Sequence, residues 1–188
     1  SAHYIRYRER GYNGYAPVTE TGVANEMVLR NEGGGTVIKK VAVNKLNYTA
    51  DELYSLFGIN KQNPEQFNKY QRYELLIRTT VLLPEAGEYK FRYQQDSSAD
   101  ESNQAWRMAS RRRQQRVVIR AGGKGTQQNS VDTWAGSTSL TVSHTAPLAG
   151  STTFEISICL AQYDGVDSRV ALPNFIFAEM KLEDMMHG

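Results

Sequence analysis

The residues of this 188-residue chain that could bind or react fall into four groups. The run SRRRQQR, from Ser110 to Arg116, with Arg107 and Arg120 close by, carries guanidinium groups able to grip carboxylates or phosphates bidentately. Trp106, in NQAWRM, and Trp134, in VDTWAG, sit in polar, turn-like surroundings. Exposed there, each would stack on the apolar face of a sugar ring; turned inward, each would simply fill core. DSSADESN, from Asp96 to Asn103, and YDGVDSR, from Tyr163 to Arg169, gather oxygen ligands of the kind calcium takes, with Asp164 and Asp167 about a glycine turn. Neither spacing fits a dedicated calcium loop, so the expected cofactor set is empty, with calcium at these loops as the alternative. Finally, Tyr4, Tyr7, Tyr12 and Tyr15 interleave with Arg6, Arg8 and Arg10, the enrichment typical of contact surfaces.

Patterns for catalysis are missing. His3, His144 and His187 have no partner at i+4 and no neighbouring cysteine, and the chain has no G-x-S-x-G elbow, phosphate loop or dinucleotide fingerprint. A non-enzyme is the expectation. With 22 basic and 20 acidic residues, the net charge of +2 gives no global attraction to nucleic acid or anionic membrane. Any anion site must be local. Even the arginine run is divided in a strand, where Arg111 and Arg113 face opposite to Arg112, so a solvated face or a guarded strand edge is its other reading. No apolar run reaches the length of a membrane span, so no membrane insertion is expected. The single cysteine, Cys159, cannot form an internal disulfide and is expected to be a buried, inert thiol.

Strands must hold these residues in place. Tyr89, Phe91 and Tyr93 alternate with Lys90, Arg92 and Gln94, and Phe154, Ile156, Ile158 and Leu160 with Glu155, Ser157, Cys159 and Ala161, the period of half-buried strands. TVIKKVAV, YELLIRTTVLL, QRVVIRA, TSLTVSH and FIFAEMKL are further β-branched or aromatic runs bounded by turn residues. Seven or more such strands predict an all-β antiparallel sandwich or jelly roll. Two short helices are expected between residues 49 and 72. One starts at the capping box Thr49-Ala50-Asp51-Glu52, the other at Asn63-Pro64-Glu65-Gln66. Residues 1–35 read as an arm or peripheral strand, and 36–188 as one sandwich domain.

Proline, a variable residue, alanine and glycine launch a strand twice, at Pro84 (PEAGEYKFRY) and at Pro147 (PLAGSTTFEISI). Proline cannot donate to a ladder and glycine permits a sharp turn, so each copy is expected to be a hairpin corner. LPEAGEYKFRY resembles the corner of galactose-binding-like jelly-roll modules, carbohydrate-binding modules among them. A similar corner occurs in trimeric heads of the complement and tumour necrosis factor type and in phage fibre tips. TAPLAGSTTFEISICLAQYDG with LPNFIFAEMKLED is similar to the closing strands of such modules, so the likeness runs over residues 73 to 184.

The resemblance implies a non-catalytic recognition domain that binds a glycan or another cell-surface ligand, outside the cell or on a virion. Its expected readers are Trp106, Trp134, Arg111, Arg112, Arg113, Tyr163, Asp164 and Asp167. The alternative is a virion or fibre-tip protein assembling as a trimer, with Tyr4, Arg6, Tyr7, Tyr12 and Tyr15 as subunit contacts. Nucleic acid is not an expected partner.

Overall fold

A computed structural model describes residues 15–18, 22–31, 35–60, 73–83, 85–96, 116–133, 137–145, 150–160, 172–173 and 175–183. They form eleven strands and one helix. In chain order these are β1 (Ala16–Pro17), β2 (Gly22–Asn31), β3 (Val37–Ala42), β4 (Asn47–Thr49), α1 (Ala50–Phe57), β5 (Tyr73–Leu83) and β6 (Gly87–Asp96). They continue as β7 (Arg116–Gly123), β8 (Thr126–Thr133), β9 (Ser137–His144), β10 (Gly150–Leu160) and β11 (Phe175–Glu183).

The strands follow one hydrogen-bonded path, β1-β11-β6-β9-β8-β7-β10-β5-β2-β3, with β4 also on β11. The path folds over where β8 meets β9, because those strands share a single bridge, Thr126 with His144. It therefore works as two layers: β1, β4, β11, β6 and β9 in the first sheet, and β8, β7, β10, β5, β2 and β3 in the second. The alternating apolar residues of β6 and β10 meet between them. Phe91 and Phe154 stack with centroids 4.5 Å apart and planes 10° from parallel. Around this pair Tyr89, Tyr93, Leu75, Ile77, Ile119, Ile156, Ile158 and Ile176 are almost wholly buried. Each such side chain removed from water contributes about 1.5–3 kcal/mol before ordering costs. The fold is an all-β antiparallel sandwich of jelly-roll type.

The two Pro-x-Ala-Gly segments are not hairpins, because neither joins strands that pair with each other. β5 pairs with β10 and β2, whereas β6 pairs with β11 and β9. The first segment thus carries the chain from the second sheet to the first, and the second carries it back from β9 to β10. Their flanking strand ends lie side by side, Leu83 opposite Gly150 and Gly87 opposite His144. The motif thus stands, both times, where the chain passes between the sheets at one rim of the sandwich. The first bend is tied down by Tyr89, whose hydroxyl donates to the carbonyl oxygen of Glu85 at 2.8 Å. Its glycine is required: Gly87 has φ 148°, and a β-carbon there would lie 3.1 Å from Leu182 Cδ1.

The capping box forms as expected. Glu52 N–H donates to Thr49 Oγ1 and Thr49 N–H to Glu52 Oε1, both at 3.2 Å, and Gly58 ends the helix. α1 turns Leu53, Tyr54 and Phe57 into the core, and the Tyr54 hydroxyl accepts from the Leu172 amide at 3.1 Å. The second expected helix, from Asn63, lies outside the described residues.

Residues 22–31, read as part of an arm or peripheral strand, form β2, which pairs on both sides with β3 and β5. Strand pairing in the sandwich therefore begins before residue 36. Cys159 is half-buried, on the β10 face that points away from the core, because its neighbours Ile156 and Ile158 take the inner positions.

Phe154→Ala is expected to cost about 3–5 kcal/mol, since the cavity would open against Phe91. Gly87→Ala should cost about 1–3 kcal/mol through backbone strain. Urea unfolding checks both, and an unchanged midpoint for Gly87→Ala would mean the crossing tolerates a side chain.

Candidate functional site

β7 and β8 form a hairpin through the Lys124–Gly125 turn, and its tip is fastened to the end of β9. The Thr145 amide donates to the Gly125 carbonyl at 2.7 Å. At the fold in the path, the Thr126 hydroxyl lies 2.7 Å from His144 Nδ1 and 2.6 Å from the Thr152 hydroxyl, all three residues being buried. The edge of the Tyr89 ring meets His144, with centroids 6.3 Å apart. Beyond that bridge no backbone pairing joins β8 to β9. One side chain spans the gap: Asn129 donates from Nδ2 to the Thr141 carbonyl at 2.8 Å, and its Oδ1 accepts from the Ser130 amide at 2.8 Å.

Such a strand has little apolar surface to bury, and the sequence of β8, TQQNSVDT, reflects it. Gln127, Gln128, Asn129, Ser130 and Asp132 are exposed, while Val131 packs against the core. A register shift opposite Ala121 and Gly123 sets Gln128 over Gly122, where a β-carbon would come within 2.4 Å of Gln128 Cγ. Arg120 stands opposite Ser130. Together Arg120, Gln128, Asn129 and Ser130 line an open cleft of about 330 Å³. Among the described residues, the Gln128 amide and the Ser130 hydroxyl have no partner, so amide donors and acceptors and a hydroxyl face this space uncommitted.

Arg120 also ends a row of alternating charge across the outer face of the second sheet. Lys40 pairs with Glu26 at 3.1 Å, Glu26 with Arg78 at 3.6 Å, Arg78 with Glu155 at 2.9 Å and Glu155 with Arg120 at 3.5 Å. The strand registers create this row, because Glu26, Arg78, Glu155 and Arg120 are successive partners across β2, β5, β10 and β7. Two steps along the same face of β5 from Arg78, buried Glu74 accepts from Arg30 at 3.2 and 3.3 Å and from the Ser157 hydroxyl at 2.7 Å. That carboxylate is saturated by structure.

The outer face of the first sheet carries a second cluster. Tyr15 lies under two cations, with Arg92 4.7 Å and Lys181 4.9 Å from the ring centroid. Arg92 also pairs with Glu179. Burial holds the Glu179 carboxyl above its ordinary range, and Arg92 opposes this without reversing it.

Of the sequence-predicted site residues, Tyr15 is among the described ones, as are Arg116 and Arg120 at the end of and beside the arginine run. Tyr15 packs on its own chain, beside β1, whose Ala16 pairs with Met180 of β11. Trp106, Trp134, Arg111, Arg112, Arg113, Tyr163, Asp164, Asp167, Tyr4, Arg6, Tyr7 and Tyr12 lie outside the described residues, as do most of the two acidic loops. No group of three or more His, Cys, Asp or Glu able to hold a metal converges among the described residues. No helix among them is long and apolar enough to cross a membrane. Gln128, Asn129 and Ser130 were not expected as site residues. The available signal was the GGKG turn between Val117–Ala121 and a wholly polar run, the mark of a hairpin whose second strand is wet.

No family model matches the sequence, and no curated protein matches it. Among solved structures the chain is similar to part of a β-glucosidase from Kluyveromyces marxianus, with a TM-score of 0.49 and 9% identity over 86% of this chain and 17% of that one. It is also similar to part of a GH31 α-xylosidase from Xanthomonas citri, with a TM-score of 0.45 and 11% identity over 92% and 19%. A carbohydrate-binding module of the β-sandwich superfamily follows with a TM-score of 0.30 and 8% identity over 94% and 59%. The chain thus spans less than a fifth of either glycosidase. At this degree of likeness none of the three bears on what the chain does.

The Glu179 environment has a measurable consequence. A carboxyl whose folded value is raised binds its proton more tightly in the folded state, so stability falls as pH climbs from the unfolded value, about 4.3, through the raised one. The stability difference between the parent chain and Glu179→Gln should therefore decline with rising pH across that window. Urea unfolding at a series of pH values reads it, and a difference that rises with pH would contradict the assignment.

Proposed function

We propose that the chain is a non-catalytic recognition domain that binds a saccharide, and that the cleft at the β7–β8 hairpin is a binding site for it. The observation that carries this reading is the cleft's lining. Arg120, Gln128, Asn129 and Ser130 present amide, hydroxyl and guanidinium groups, and two of these side chains have no partner among the described residues. A hydroxyl-rich ligand offers alternating donors and acceptors, which match side chains that can both give and receive hydrogen bonds.

The rigidity of the platform favours the same reading. Asn129 is held at both ends of its amide and the hairpin tip is fastened to Thr145, so a ligand would meet groups already oriented. Trp134 follows directly on β8 in the chain, and we include it with Trp106, Arg111, Arg112, Arg113, Tyr163, Asp164 and Asp167 as proposed further readers. Such a domain would work outside the cell or on a particle surface. Assembly as a trimer through the Tyr/Arg arm has no observation in its favour, since Tyr15 is engaged by Arg92 and Lys181 of its own chain.

A glycan array followed by titration calorimetry on the best ligands tests this. Binding is expected, and Gln128→Ala with Ser130→Ala together should weaken it about tenfold with the melting temperature unchanged. Absence of binding across the array, or binding indifferent to both substitutions and to Trp134→Ala, would refute the assignment of the cleft.

A further inference from the structure

The row of charge across the second sheet divides into tight pairs with one member left over. Lys40 with Glu26, at 3.1 Å, and Arg78 with Glu155, through Nε at 3.0 Å and Nη2 at 2.9 Å to Oε2, are the close contacts. Arg120 approaches only the other oxygen of Glu155, at 3.5 Å, which is an ion pair without a hydrogen bond. With three cations and two carboxylates the row has one positive charge in excess. The distances place it on Arg120.

That position is the wall of the cleft. Arg120 keeps 54% of its side chain exposed, and no other interaction of its guanidinium is present among the described residues. The remaining charges near it do not cancel the excess. Asp132 lies opposite Val118, two residues along, and has an interaction of its own, while Lys124 at the hairpin turn adds a second exposed cation. Glu155 is already shared with Arg78. A guanidinium whose one contact among the described residues is a 3.5 Å ion pair, beside an amide and a hydroxyl with no partner among them, is complementary to a planar carboxylate flanked by hydroxyls.

Resting on the saccharide reading above, we infer that the cleft selects an acidic saccharide, one whose sugar ring bears a carboxylate, and that Arg120 is the residue that selects it. The carboxylate takes the Arg120 fork while Gln128 and Ser130 bond the neighbouring hydroxyls. Glu155 does not bind ligand; it positions Arg120 by holding the base of the row.

Paired ligands that differ only in the charge test this directly: oligogalacturonide against its methyl ester, and sialyllactose against lactose, by calorimetry at low and moderate salt. At least one acidic member is expected to bind about tenfold more tightly than its neutral counterpart, with the margin shrinking as salt rises. Which pair responds distinguishes a uronate from a sialate. Arg120→Gln should erase the margin, so that the variant binds the acidic and the neutral member of each pair equally, and Arg120→Lys should restore only part of it, because an ammonium cannot offer the bidentate fork. Unchanged melting curves exclude loss of fold as the cause, as the exposure of Arg120 predicts. Equal binding of acidic and neutral ligands that Gln128→Ala still weakens would overturn the selection and leave the saccharide reading standing. No binding of any saccharide would overturn both.

Discussion

Two long antiparallel pairings, β5 with β10 and β6 with β9, hold this sandwich together, and they constrain each other. Because β5 leads into β6 and β9 into β10, every residue added to one pairing shifts the crossing that begins the other. The observed registers, Leu83 opposite Gly150 and Gly87 opposite His144, fix both crossings at one rim. With that rim fixed, Phe91 of β6 and Phe154 of β10 can meet face to face, and the remaining apolar positions fall inward by alternation. A slip of one residue in either pairing would turn its aromatic face to water. The Tyr89 hydroxyl bond to Glu85 and the positive φ of Gly87 are local means of keeping that register.

The same rim explains where the sandwich opens. His144 ends β9 beside the crossing, and its bridge to Thr126 is, among the described residues, the one pairing between β9 and β8. The three buried polar residues there, Thr126, His144 and Thr152, hydrogen-bond in a chain, which lets one strand leave the first sheet and join the second without stranding hydroxyls. Past this point β8 pairs only with β7. Its other side is then answered by a side chain, Asn129, in place of a ladder. The cleft is thus a consequence of how the two sheets are joined, and its polar lining is what a strand must carry when it has no second neighbour and little core to cover.

Most of the framework was legible in the sequence because it rests on period and punctuation. Tyr89, Phe91 and Tyr93 read as a core face and are one; Thr49 and Glu52 read as a capping box and make it. What single-chain patterns could not give was pairing. The Pro-x-Ala-Gly segments looked like hairpin corners since a proline and a glycine mark any reversal, and only the registers show that each crosses between sheets. β2 escaped notice because GVANEMVLRN mixes apolar and charged residues, its Arg30 and Glu26 being held by partners on other strands. β8 escaped for the opposite reason, having almost no apolar alternation to read. The cleft depended on both kinds of hidden information, the pairing of Arg120 with Ser130 and the strand that supplies Ser130.

Charge on the two outer faces follows a common rule with different outcomes. On the first sheet, Lys90, Lys181, Arg92, Glu179 and Glu183 pair locally, and two of these cations, Arg92 and Lys181, also lie over the Tyr15 ring, whose π face attracts them. On the second sheet strand register aligns carboxylate, cation, carboxylate and cation on four neighbouring strands, Lys40 reaches Glu26 diagonally from a fifth, and the row has one cation too many. The described neighbours of Arg120 are Glu155, already bonded to Arg78, and the cleft residues Gln128, Asn129 and Ser130, which offer hydrogen bonds but no further negative charge. Arg120 is thereby left with a charge that the described part of the chain meets only through a carboxylate shared with Arg78, beside the cleft that it lines with Gln128, Asn129 and Ser130.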